Sequence, residues 1–137
     1  MVEKKETTKS SMERAVGRRK TAAARVRLDL GKGTITVNGK DYTAYFPTAI
    51  LRQRVLSPLV AVGKEKGFDI SAKAAGGGMA GQADAVRHAI SRALVKWNEE
   101  FKPILRALGF LTRDPRAKER KKPGLHKARR GHQWRKR

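Results

Sequence analysis

Apolar and polar residues alternate in two short runs early in the chain. In AAARVRLDL, Ala24, Val26, Leu28 and Leu30 alternate with Arg25, Arg27 and Asp29, the period of a strand with one buried face. Gly31-Lys32-Gly33 reads as a turn. TITVN then alternates again through Ile35 and Val37 and closes on the turn signal Asn38-Gly39. The two runs predict a hairpin. Thr48 can cap a helix that carries Leu51 and Val55 inward, and Ser57-Pro58 reads as a second cap with proline at the first helical position. Two short helical pieces between about 48 and 66, bent at Pro58 and ended by Gly67, are the expectation. Phe68, Ile70, Ala72 and Ala74 alternate as a third strand.

The longest helical pattern runs from Gln82 to Trp97. Ala83, Val86, Ile90, Ala93, Leu94 and Trp97 make one apolar stripe, and Asp84 falls in the first turn, where a carboxylate favours the positive end of the helix dipole. A last short helix near 100–108 carries Ile104, Leu105 and Leu108, with Pro103 near its start and Gly109 after it. The order β-β-α-β-α-α implies an α+β fold, a sheet layered against helices.

Charge changes this picture. The 137 residues include 33 Lys and Arg against 12 Asp and Glu, a formal charge of +21, and no cysteine. The absence of Cys excludes disulfide scaffolds, Cys-based zinc sites and thiol catalysis. No apolar run approaches the ~20 residues of a membrane span, and the first fifteen residues lack the apolar centre of a secretory signal. The expectation is an intracellular protein with no membrane partner. So large a positive charge opposes compaction unless a polyanion neutralises it, and nucleic acid is the natural candidate.

The charge is also uneven. Residues 112–137 hold twelve Lys and Arg and two acids in twenty-six positions, with few aliphatics and no structural period. Such a segment cannot bury enough apolar surface to offset its ordering entropy. The chain therefore divides into a flexible lead at 1–15, a globular α+β domain at 16–111 and an extended basic tail at 112–137.

Four features carry candidate chemistry. The strand-to-helix link Ala74 to Gln82 contains Gly76, Gly77, Gly78 and Gly81; it reads either as backbone amides cradling a phosphate or as a tight turn needing positive φ. No Lys-Ser or Lys-Thr follows, so it is not the nucleotide P-loop pattern. Arg18, Arg19 and Lys20 form a cationic cluster just before the first predicted strand. Arg87, His88, Arg92 and Lys96 lie on the polar side of the long helix, where Asp84 and His88 are spaced to pair. The tail could extend up to roughly 85 Å, its arginines suit phosphate oxygens, and Trp134 offers a surface for an unpaired base. His126 and His132 lack a second ligand at metal spacing, so neither a metal nor a cofactor is expected.

The succession GRRKTAAARVRL, TITVNGKDYTAYFP, FDISAKAAGGGMAGQADAVRHAISRAL and LGFLTRDPRAKERKKPGLHKARRGHQW with a final RKR resembles the small-subunit ribosomal protein nine family, bacterial type, from about residue 16 to 137. The resemblance implies a two-layer fold like the second domain of ribosomal protein five, with a left-handed βαβ crossover that pattern analysis would not favour. It implies a structural, non-enzymatic constituent of the small ribosomal subunit in the cytoplasm or an organelle. That constituent is bound to ribosomal RNA and neighbouring proteins in the subunit head. Its tail would reach the anticodon stem of the peptidyl-site tRNA through Arg135, Lys136 and Arg137.

The residues expected on ribosomal RNA are Arg18, Arg19, Lys20, Lys73, Gly76, Gly77, Gly78, Gly81, Gln82 and Arg87 in the domain. In the tail they are Arg113, Arg116, Arg120, Lys121, Lys122, Lys127, Arg129 and Arg130. Trp134 and Arg135 depart from the usual family ending, where phenylalanine and serine are common; Gly131-His132 replaces a more basic stretch. Two other classes compete. A small-molecule kinase family of related fold holds ATP at such a glycine turn, but it needs a second domain for which this chain has no room. A nucleoid-type DNA-binding protein would account for the charge equally well.

Overall fold

In the computed structural model, which describes residues 12–136, five strands and four helices follow the order β1 (Glu13–Arg19), β2 (Ala22–Leu30), β3 (Ile35–Val37), β4 (Lys40–Asp41), α1 (Tyr42–Tyr45), α2 (Ala49–Ala61), β5 (Phe68–Ala75), α3 (Met79–Trp97) and α4 (Lys102–Ala107), with a 3-10 turn at Glu99–Phe101 before α4. The strands make one sheet in the order β1-β2-β5-β3-β4. The class is α+β, as the pattern implied, but the first strand was not foreseen. β1 begins at Glu13, inside the stretch read as a flexible lead, and pairs antiparallel with β2 across the turn at Lys20-Thr21. Most of that lead, residues 1–11, lies outside the described residues.

The predicted hairpin between β2 and β3 does not form. β5 lies between them, antiparallel to β2 and parallel to β3. The reason is in the loop joining them. One Asp69 oxygen, at the start of β5, accepts hydrogen bonds from the amides of Lys32, Gly33 and Thr34 at 3.0, 3.2 and 3.1 Å. Gly31 leaves no room for a side chain there: a Cβ would sit 2.0 Å from the Asp69 carboxylate. The loop is thus closed around β5, and β3 emerges on β5's far side. Asn38-Gly39 does turn the chain, with both residues at positive φ, but into the two-residue β4.

The amide hydrogen bonds, Thr34's foremost, with those of Lys32 and Gly33 and the Lys32 charge, outweigh partial burial and lower the Asp69 pKa. A depressed folded-state pKa stabilises fully above the ordinary aspartate value of about 3.9 and is lost as pH falls through the folded value. Asp69→Asn is therefore expected to melt below the unsubstituted protein at pH 7, with the gap closing below about pH 4. A pH-independent difference in Tm would contradict this account of the loop.

Between residues 48 and 66 there is one helix, not two. Pro58 lies inside α2 and, having no N–H, leaves the Arg54 carbonyl without its helical donor. The Ser57 hydroxyl takes that place, donating to the Arg54 carbonyl at 2.6 Å, so the helix continues to Ala61. Thr48 stands at the N-cap position but its hydroxyl makes no capping bond.

The main helices α2 and α3 lie on one face of the sheet. Ala15 of β1, Ala22 to Leu28 at alternate positions of β2, Ile35 and Val37 of β3, and Phe68 to Ala74 at alternate positions of β5 point into the core. There they meet Val55 and Leu59 of α2 and Val86, Ile90 and Leu94 of α3. Trp97 packs edge-on against Phe68, ring centroids 5.2 Å apart. In α4 only Leu105 is buried; Ile104 and Leu108, expected to pack with it, are exposed. α3 starts at Met79, three residues before the predicted Gln82, which moves Asp84 out of the first turn.

Candidate nucleic-acid interface

Gly76 and Gly77 both have positive φ, +78° and +60°, and a Cβ on Gly76 would lie 2.7 Å from the Thr21 carbonyl oxygen. The tight-turn reading of the glycines therefore holds for these two. Gly78 is extended and open, and stands at the N-cap of α3. Gln82 donates to the Gly76 carbonyl at 3.0 Å and accepts the Tyr45 hydroxyl proton. Asn38 exchanges hydrogen bonds with the Ala74 backbone at 2.9 and 3.0 Å. The Gln82 amide is thereby engaged inside the protein, where it holds the turn rather than reaching outward.

The cluster at residues 18–20 is split by β1. Arg18 is exposed at the end of β1, Lys20 sits at the turn with φ of 53°, and Arg19 turns toward α3. Arg19 lies 3.5 Å from Asp84 and 3.4 Å from Asp114, and donates to the Arg116 carbonyl at 2.8 Å. Asp84 also faces Arg54 and Arg87, each at 3.6 Å. Its expected partner, His88, is not among these. The His88 Nε2 is 3.3 Å from the Leu111 carbonyl oxygen, and its buried Nδ1 has no partner among the described residues. Burial foremost, then the charges of Arg92, Arg113 and Arg87, lower the His88 pKa against the opposing effect of the Leu111 carbonyl. A neutral ring with Nε2–H donating follows.

These groups surround a cleft of about 480 Å3 between the β1 end, the N-terminal half of α3 and the root of the tail. Six cations line it: Arg18, Arg19, Lys20, Arg54, Arg87 and Arg116. Two carboxylates, Asp84 and Asp114, stand against them. Gly81 belongs to the same cleft. Arg54 was missed in the sequence because nothing in α2's pattern tells that it will meet α3.

Lys73 is elsewhere, on the solvent side of β5 opposite Arg25 of β2.

Between 113 and 136 the tail forms neither helix nor strand, and none of it is buried. Its root is nevertheless anchored through Arg19. Arg116 also pairs with Asp114 at 2.8 Å, and its hydrogen bonds hold the Asp114 pKa well below the usual carboxylate range. Lys122 and Arg129 share Glu119, the Arg129 contact being 2.9 Å. The Arg113 guanidinium donates to the Asp114 carbonyl. Arg120, Lys121, Lys127 and Arg130 are exposed with no ion pair among the described residues, as are Arg135 and Lys136. Arg137 lies outside the described residues. His126 and His132, read as isolated, face each other with ring nitrogens 2.9 Å apart. Trp134 is 77% exposed.

No described helix is long and apolar enough to cross a membrane. Residues 17–137 match the family model described as Ribosomal protein S9/S16. The chain is 52% identical over 123 residues to a protein of Methylacidiphilum infernorum, covering 90% of each chain. It is 54% identical over 123 residues to one of Bacteroides fragilis, covering 90% of this chain and 96% of the other. A Nocardia farcinica protein is 53% identical over 122 residues, 89% of this chain and 73% of its own. All three bear the name small ribosomal subunit protein uS9. The match extends through the strands, the glycine turn and the tail alike, and the chain belongs to the ribosomal protein S9/S16 family, in its bacterial uS9 type.

Proposed function

We propose that this protein is a structural constituent of the small ribosomal subunit that binds ribosomal RNA in the subunit head beside neighbouring head proteins. Its tail reaches the anticodon stem-loop of the peptidyl-site tRNA. The family is one of ribosomal structural proteins, not an enzyme class. The observation that carries the reading is the excess of cations over carboxylates in the cleft beside α3, continued without a break into the tail.

The mechanism is electrostatic. Arg18, Lys20, Arg54 and Arg87 meet RNA phosphates at the cleft, and the open amides at Gly78 and the start of α3 add a partial positive charge. Arg120, Lys121, Lys127 and Arg130 release condensed counterions as the tail passes between RNA strands. Ordering of the outer tail is coupled to binding, so its entropy cost falls in the assembled particle. Arg135, Lys136 and Arg137 contact tRNA phosphates and position the tRNA without reading its sequence. The left-handed crossover and the likeness to ribosomal protein five rest on the family resemblance; the parallel pairing of β3 and β5 across α2 is compatible with both.

Two measurements test the reading. The full chain should prefer folded small-subunit ribosomal RNA to duplex DNA in competition, with log K falling linearly and steeply against log salt. Subunits assembled with residues 135–137 removed should form normally and bind peptidyl-site tRNA about threefold to tenfold more weakly, the scale set by two or three phosphates left without a cation. Equal affinity for duplex DNA would refute the RNA role. Unaltered tRNA affinity would refute the role of the tail end.

A further inference from the structure

One face of the sheet carries α2 and α3, and the other carries no helix among the described residues. On the uncovered face, Arg14 of β1 stands directly opposite Arg27 of β2, and Arg25 of β2 directly opposite Lys73 of β5. All four side chains are exposed. Like charges directly opposite on neighbouring strands destabilise a sheet. Among the described residues, no carboxylate lies within ion-pair distance of any of the four.

A shallow depression of about 400 Å3 runs over this face and the β1 edge. Arg92 and Lys96 of α3 complete it, reaching past the edge to donate to the Val16 and Arg14 carbonyls. The depression therefore gathers six cations and no acid. The cleft beside α3, by contrast, has two carboxylates against its six cations. On the same face Asp29 lies two residues beyond Arg27 and directly opposite Asp69, one oxygen of which is occupied by the loop amides; neither acid lines the depression.

We infer that the uncovered face of the sheet is a second anion-binding surface, whose ligand is the phosphodiester backbone of a structured RNA. The inference rests on the RNA-binding reading above and adds a surface to it. Two observations choose RNA backbone over a protein. Arg92 and Lys96 occupy two outward carbonyls of β1, those of Val16 and Arg14, which an added strand would need along that stretch of the edge. The depression holds no aromatic anchor, the kind of residue on which protein interfaces depend. For the same reason it offers no platform for stacking single-stranded bases, which leaves the backbone of a folded segment as the ligand. Its contacts would be indifferent to base identity.

The test compares the full chain with a variant carrying Arg14→Gln, Arg25→Gln, Arg27→Gln and Lys73→Gln. Filter binding to folded small-subunit ribosomal RNA is measured across a salt series, with thermal melting of the free protein in parallel. The slope of log K against log salt should become shallower by roughly 3, because each phosphate left unneutralised takes about 0.7 to 0.9 from it. Affinity should fall at least tenfold at moderate salt. The free variant should melt at a higher temperature, because two like-charge oppositions are removed.

Arg27→Gln alone provides a check that needs little refolding tolerance, with a slope change of about 1 and a raised Tm. Unchanged slope and affinity in both variants, while the unsubstituted chain binds, would overturn the second surface and leave the first reading standing. Polyglutamate competing as well as RNA would assign the face to an acidic protein and overturn it likewise. If the unsubstituted chain itself showed no salt-dependent affinity for the RNA, both readings would fall together.

Discussion

Gly17→Ala lowers the stability of the folded chain by about 3 kcal/mol or more, the upper range for forced overpacking. Gly17 lies on the helix side of β1, where strand and helix meet backbone to backbone. A Cβ there would stand 2.1 Å from the Ala85 carbonyl oxygen and 2.4 Å from the Ala89 amide nitrogen of α3. Neither atom belongs to a flexible side chain, so the relief must come from moving α3 away from the sheet. That motion would open the packing along Ala85, Ala89 and Ala93, small residues that are fully buried because the two elements approach so closely. A loss of 3 kcal/mol corresponds to a fall in Tm of about 12 °C for a domain of this size. A melting temperature within about 2 °C of the unsubstituted protein, well inside that shift, would show that β1 and α3 are not in contact as described.

Asp84→Ala is expected to cost about 2 kcal/mol, since it leaves Arg19, Arg54 and Arg87 facing one another without their shared carboxylate. The figure sits below that for a fully buried ion pair because Arg54 and Arg87 are about a third exposed. A second effect separates this from general loosening. Arg19 also holds the root of the tail through Asp114 and the Arg116 carbonyl, so its displacement should raise amide exchange at Asp114 and Arg116 more than in the centre of β2. Affinity for ribosomal RNA should not fall, since the cleft loses a negative charge and no cation. Loss of RNA affinity at unchanged stability would mean that Asp84 contacts the ligand, and the cleft would need a different assignment.

Much of the architecture is legible in local pattern. The alternation in AAARVRLDL and FDISAKAA gave β2 and β5 because a half-buried strand imposes a period of two, whatever lies next to it. The stripe from Ala83 to Leu94 gave α3 in the same way. The same alternation already placed Arg25 and Arg27 on one polar face, so the uncovered face was within reach of the sequence, although its residues other than Lys73 were not singled out. β1 was hidden because Gly17 and the cations beside it dilute its apolar signal, and its stability comes from the ladder with β2 and the contact with α3.

What stayed illegible depends on which distant segments meet. That β5 separates β2 from β3 follows from one carboxylate gathering three loop amides some 35 residues away in sequence. That Pro58 fails to end α2 follows from a neighbouring hydroxyl replacing the missing donor. Arg54 and Asp84 became partners, and Asp84 and His88 did not, because α2 and the tail root pack against the same side of α3. Periodicity and charge density are properties of a short stretch of chain, so local sequence could announce strands and helices and raise the expectation of an anionic partner. Opposition of Arg14 to Arg27 and of Arg25 to Lys73 is a property of register between strands, and register exists only once the sheet has closed.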